Sequence, residues 1–200
     1  MAVGCGYKYL NGGPGAPAYI YLAKHLQNLA TQPLSGWMGH ADGFAFEPSY
    51  TPAAGLKQML TGTPAVLSMS ALDAALTVFD DLDLAQVRDK SIMLAELFIE
   101  TMANDWDLDS GTDQLQLVSP PAQHRGSHIA FSHPQAYAIC QALKEQGVVT
   151  DYRAPDLLRV GFAPLYNSYQ EVWLAAEHLR NILRKQTFHE PRFAERQQVT

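Results

Sequence analysis

Gly4-Cys5-Gly6-Tyr7-Lys8-Tyr9-Leu10-Asn11-Gly12-Gly13-Pro14-Gly15-Ala16-Pro17 sets one lysine between two tyrosines and surrounds the three with glycine and proline. The apolar run Met1-Ala2-Val3 leads into it, and Ala18-Tyr19-Ile20-Tyr21-Leu22 follows. Glycine permits backbone conformations closed to other residues, and proline fixes φ. The stretch therefore reads as a tight, rigid turn between two short strands, the second buried and paired antiparallel to the first. Lys8 then sits at the mouth of a strand rather than on a mobile helix. A rigidly placed lysine beside aromatic rings suits Schiff-base chemistry. Desolvation lowers the ammonium pKa, and the neutral amine is the nucleophile that condenses with a carbonyl. The plainer alternative is a surface lysine in a turn that serves structure only.

Composition narrows the classes. The chain has 200 residues, 47% of them hydrophobic, so a core can form. Its net charge is −6, from 20 acidic and 14 basic side chains. No lysine–arginine cluster offers a nucleic-acid or anionic-membrane surface. No apolar run approaches the roughly 20 residues of a membrane helix, and no basic-then-apolar leader is expected at the start. Cys5 and Cys140 are far apart without Cys-x-x-Cys spacing. That argues against zinc ribbons and disulfide scaffolds and fits a reduced, cytoplasmic setting. His40 stands without metal-partner spacing, and glycines 12, 13 and 15 lack the dinucleotide-binding spacing.

Along the chain, Ala23–Thr31 reads as a short helix or turn stopped by Pro33. Residues 34–63 have little regular pattern, yet Trp37, Phe44, Phe46 and Tyr50 make them too apolar for disorder. A structured loop over a pocket or at a subunit interface is expected, with Trp37 either an interface residue that has a polar N–H to place or a simple hydrophobic anchor. Val66, Met69, Leu72, Ala75 and Val78 recur at helical spacing over 65–79, and a longer helix is expected over 84–103. From 114 onward the order reads strand, strand, helix, strand, strand, helix. The strands fall at 114–118, 127–131, 148–152 and 157–162, and the helices at 134–146 and 168–185. That is a small α+β unit with an antiparallel sheet covered by helices. The expected organisation is an incomplete large domain over 1–83, a small C-terminal domain over 84–187 and a polar, fraying tail over 188–200.

Arg159 is the second residue of interest. It interrupts an apolar strand between Leu158 and Val160. Its guanidinium cannot neutralise, so it needs an anionic partner, and a carboxylate is the natural one. The alternative is an arginine at a strand end pointing to water.

Tyr7-Lys8-Tyr9-Leu10-Asn11-Gly12-Gly13-Pro14-Gly15 resembles the lysine motif of the kynureninases, pyridoxal-phosphate enzymes of aminotransferase fold type I. Further matches run in family order. They are Gly36-Trp37-Met38-Gly39-His40, Phe44-Ala45-Phe46-Glu47-Pro48, Gly62-Thr63-Pro64, Arg125-Gly126-Ser127-His128, Arg153-Ala154-Pro155-Asp156-Leu157-Leu158-Arg159 and Pro164-Leu165-Tyr166. Each alone is weak, but together they are specific. The resemblance implies an α/β fold of type I and pyridoxal 5'-phosphate held covalently by Lys8. It implies that Tyr7 contacts the cofactor phosphate and assists proton transfer. Trp37 and Thr63 would reach the phosphate side at a homodimer interface, and Arg159 would pair with the substrate α-carboxylate. The implied reaction is hydrolytic cleavage of L-kynurenine, or 3-hydroxykynurenine, to anthranilate or 3-hydroxyanthranilate and L-alanine.

The family's upstream motifs, which carry its ring-stacking and pyridine-pairing residues, have no counterpart here. The chain reads as the C-terminal half of such an enzyme, inactive by itself. A non-catalytic remnant that has lost the cofactor, and is structural or interacts with a partner, is a second reading. Another fold type I enzyme, such as a cysteine-desulfurase-like protein, is a third, which the surroundings of Trp37 and Arg159 disfavour.

Overall fold

The computed structural model describes residues 1–103 and 114–196. It separates into two compact units, Met1–Leu82 and Asp83–Thr200.

In the first unit, β1 (Ala2–Cys5) pairs antiparallel with β2 (Ala18–Tyr21), Ala2 opposite Tyr21 and Cys5 opposite Ala18. The loop between them is closed by Gly6 N–H donating to the Pro17 carbonyl and Gly12 N–H to the Gly6 carbonyl. Gly13 and Gly15 take positive φ, 72° and 89°, where a side chain would be strained. The strand pairing follows the sequence reading, but the burial does not: all four residues of β2 are exposed. A two-stranded ribbon has no second layer of its own to cover its faces. Helix α1 (Val66–Leu76) behaves likewise. Its apolar spacing predicts a buried stripe, yet none of its residues is buried, because residues 1–82 cover little of it. Between β2 and α1 the chain runs through short 3₁₀ turns at Lys24–Leu26, Trp37–Gly39 and Gly55–Met59. The expected short helix over 23–31 is the first of these.

The second unit has a dense core. Helix α2 (Leu84–Ala103) is followed by β3 (Gln116–Leu117), β4 (His128–Ser132), α3 (Ala136–Glu145), β5 (Asp151–Arg153), β6 (Leu157–Gly161) and α4 (Tyr169–Lys185). The sheet order is β3-β4-β6-β5, antiparallel throughout. Strand alternation decides its faces. Ile129 lies opposite Val160 and Phe131 opposite Leu158, and all four are buried against the helices. Phe98 of α2 meets the rings of Phe131 and Phe162 at 6.0 and 5.8 Å. Helix α4 begins at a capping box. The Glu171 N–H donates to the Ser168 hydroxyl, and the Glu171 carboxylate accepts from the Ser168 N–H at 2.7 Å. Those bonds hold the Glu171 carboxyl below its usual range.

The strand expected over 148–152 starts later, at Asp151, after Gly147 (φ 80°) ends α3. The C-terminal segment departs more. Its polar composition predicts fraying from 188, but Thr187–His189 forms a 3₁₀ turn and α5 (Pro191–Ala194) follows. Phe188 and Phe193 are both buried in the core. Two aromatics spaced five apart anchor an otherwise polar stretch. Residues 197–200 of that segment lie outside the described residues.

Two outcomes check this core. Phe193→Ala lowers the unfolding free energy by about 3 kcal/mol in urea titration, where a frayed tail would show no change. Burial, with the Asp151 carboxylate adding to it, pushes the Cys140 thiol from 9.0 up to about 11. The unfolded thiol ionises first, so stability falls as pH rises through that window. Cys140→Ala removes that part of the slope in pH-dependent thermal melts.

Candidate active site

Lys8 follows β1 in the glycine-rich loop. Its carbonyl accepts from the Asn11 N–H at 3.0 Å, which closes the turn, and Asn11 takes φ 60° to allow it. Leu72 of α1 backs the loop: a Cβ at Gly6 or Gly12 would come within 3.0 Å of its methyl groups. The Lys8 ammonium stands 5.0 Å from the centroid of the Tyr7 ring. Alternation in an extended strand would put the two on opposite faces, and the turn instead brings them together. Tyr7, Lys8 and Tyr9 are all exposed, so the described residues do not supply the expected desolvation of Lys8. Two cavities of about 850 and 910 Å³ border β2 in the same unit, and neither Lys8 nor Tyr7 lines them.

Trp37 opens the 3₁₀ turn of the irregular loop. The loop is structured, as its aromatic content predicts. Trp37 and Phe44 meet edge to face at 5.8 Å, and His40 and Tyr50 at 5.5 Å. Tyr50 donates to the Gly39 carbonyl at 3.0 Å, and Ala53 N–H donates to the same oxygen at 2.8 Å. Glycine pins this loop to the segment that carries Thr63. A Cβ on Gly36 would lie 1.9 Å from the Thr61 carbonyl oxygen, and one on Gly39 would lie 2.4 Å from that of Leu60. Trp37 and Thr63 therefore sit one and two residues from a single backbone contact, and both are exposed. The sequence signal for this contact is the glycine pair around Trp37, which the irregular pattern of the loop hides.

Arg159 lies in the second unit, on the middle residue of β6. Leu158 and Val160 point into the core, so alternation turns Arg159 to the other face, between Ala130 of β4 and Asp151 of β5. The carboxylate partner that its strand position demands comes from the chain itself. Arg159 Nε donates to Asp151 Oδ2 at 3.0 Å and Nη2 donates to the same oxygen. Arg153 reaches that oxygen at 3.2 Å. Sequence reading missed Asp151, although a short hairpin turned at Ala154–Asp156 places it opposite Arg159. Two side chains of the Arg125-Gly126-Ser127-His128 motif are tied to α2. Arg125 pairs with Glu96, and Ser127 accepts from Ser91 at 2.7 Å, both on α2.

Solved structures place this architecture. A cysteine desulfurase from Thermococcus onnurineus NA1 matches with TM-score 0.72 over 92% of this chain and 46% of its own, at 15% identity. The C-DES protein, solved with glycine covalently linked to its PLP cofactor, matches with TM-score 0.60 over 82% and 43%, at 21% identity. The fold is that of the fold type I enzymes. Sequence narrows the class. Residues 87–179 match the Kynureninase C-terminal domain, and a kynureninase from Pseudomonas fluorescens is 44% identical over 201 residues. The chain is related to the kynureninases along its whole length and spans about half of theirs, 47% in that relative.

Gly36→Ala tests the contact that places Trp37. The added methyl cannot share space with the Thr61 carbonyl, so urea unfolding shows a loss of about 1–3 kcal/mol. An unchanged midpoint contradicts the close approach.

Proposed function

We propose that this chain forms the lysine- and arginine-bearing part of a pyridoxal-phosphate-dependent kynureninase, a hydrolase acting on carbon–carbon bonds. It would cleave L-kynurenine, or 3-hydroxykynurenine, between Cβ and Cγ to anthranilate, or 3-hydroxyanthranilate, and L-alanine. The observation that supports this most is the 44% identity to the Pseudomonas fluorescens kynureninase over the full chain, the Lys8 loop included.

The side chains present suit the cofactor. Lys8 supplies the primary amine that an aldehyde condenses with. The hydroxyls of Tyr7 and Thr63 and the Trp37 indole N–H are donors of the kind a phosphate ester accepts. The contact at Gly36 keeps the Trp37 and Thr63 donors near one another. When bound, the pyridoxal ring serves as an electron sink for the substrate α-carbon.

The remaining work falls to the protein. Lys8, held by its turn, anchors the cofactor and, when its amine is neutral, accepts and returns protons nearby. Tyr7, already against the lysine, assists that transfer. Arg159 binds the substrate α-carboxylate, because its planar fork matches a carboxylate and keeps its charge at any working pH. Orienting the substrate in this way selects which bond lies over the ring.

The complete enzyme is a homodimer in this reading, with Trp37 and Thr63 reaching the cofactor across the interface. Exposed Trp37, Phe44 and Phe46 on one loop form the sort of apolar surface a second subunit covers. The free thiols of Cys5 and Cys140 fit a cytoplasmic location. Among the described residues no helix is long and apolar enough to cross a membrane.

Mixing the chain with pyridoxal 5'-phosphate provides the test. A visible absorption band from a lysine-bound cofactor is expected in the unaltered protein and in Lys24→Ala. It is absent in Lys8→Ala. A band of equal strength in Lys8→Ala, or none in any form, overturns the assignment.

A further inference from the structure

The arginine fork has two faces, and the structure uses one of them. A guanidinium presents a side-on face, formed by the Nε hydrogen and one Nη2 hydrogen, and an end-on face, formed by the Nη1 hydrogens and the second Nη2 hydrogen. Arg159 gives its side-on face to Asp151: Nε at 3.0 Å and Nη2 meet the same oxygen, Oδ2. Its Nη1 donates to none of the described residues. Across the strand on the other side, directly opposite Arg159, stands Ala130, which carries no polar side-chain atom and no bulk beyond its Cβ. The pair is fixed by register, since Asp151 and Arg159 are cross-strand partners in β5 and β6. Arg159 is about one-third exposed and Asp151 somewhat more, so a solute can reach the fork from outside.

We propose that Asp151 is a positioning residue for Arg159: it takes the side-on face of the guanidinium and turns the end-on face toward a ligand carboxylate. This rests on the reading of Arg159 as the carboxylate site. Two effects of Asp151 oppose one another. Its negative charge repels an incoming carboxylate, while its hydrogen bonds already hold a long side chain in one orientation, so that less rotamer freedom is lost on binding. Freezing a rotamer-rich side chain costs about 0.5–1.5 kcal/mol, a factor of two to ten in affinity. Arg153, which shares Asp151 Oδ2 at 3.2 Å and is more exposed, offsets part of the repulsion.

Two substitutions separate the effects. Asp151→Asn and Asp151→Ala remove the same charge, but only asparagine keeps an oxygen that can accept from Nε and Nη2. The full chain is titrated with L-alanine, with L-alaninamide as the control that lacks the carboxylate, and the side-chain N–H signals of Arg159 are followed by NMR. L-Alanine is expected to bind Asp151→Ala about fivefold more weakly than Asp151→Asn. In the unaltered chain it shifts the Nη signals, while Nε–H keeps the position that marks its bond to Asp151. Equal binding by the two variants, or tighter binding by Asp151→Ala, overturns the positioning role. So does loss of the Nε–Asp151 signature on adding L-alanine, which would make Asp151 a displaced competitor while leaving the carboxylate site intact. Absence of any Arg159 shift that distinguishes L-alanine from L-alaninamide overturns the carboxylate reading itself, and the positioning role falls with it.

Discussion

Strand alternation in β6 is the constraint on which the second unit and its chemistry depend. Leu158 and Val160 must both be buried, because they face Phe131 and Ile129 across the β4 ladder and close the core under the helices. That fixes Arg159 on the opposite face with no freedom of choice: a one-residue slip would bury a guanidinium and expose two core side chains. Arg159 is thus placed by its apolar neighbours. The same register sets Asp151 beside it, so the electrostatics of the face follow from the packing of the core.

The first unit works by a different constraint, close backbone approach. Its core is thin, and β1, β2 and α1 leave much apolar surface uncovered. What it fixes well are turns. Glycines in the Lys8 loop and at 36 and 39 let chain segments approach within distances that no side chain permits. The lysine, the tryptophan and the threonine that the proposed chemistry uses all stand on those segments. Rigid loops thus serve in one unit the purpose that a packed sheet serves in the other.

Legibility in the sequence tracks these two modes. The second unit was readable because its elements are amphipathic and complete: the helix over 84–103, three of the four strands and the capped helix after Ser168 follow simple periodicity, while the strand expected over 148–152 starts only at Asp151. The polar tail misled, since Phe188 and Phe193 are single anchors that composition dilutes. In the first unit, periodicity found β2 and α1 but implied a burial that residues 1–82 cannot provide. The rigid lysine turn was visible from Gly and Pro alone, whereas its exposure was not. The same turn brings the Tyr7 ring to the Lys8 ammonium. Arg159 announced its need for a carboxylate, yet the supplier, Asp151, follows only from hairpin register, which pairwise alignment of strands would have given. Gly36 escaped notice because a steric requirement leaves no periodic trace.

Lys8 is the residue proposed to capture a pyridoxal aldehyde. Borohydride reduction of the full chain after incubation with pyridoxal 5'-phosphate, followed by peptide mapping, tests it directly. A reduced adduct is expected on the peptide that contains Lys8, well above any on Lys24, Lys57, Lys90, Lys144 or Lys185. An adduct spread evenly over the lysines, or concentrated on one other than Lys8, contradicts it.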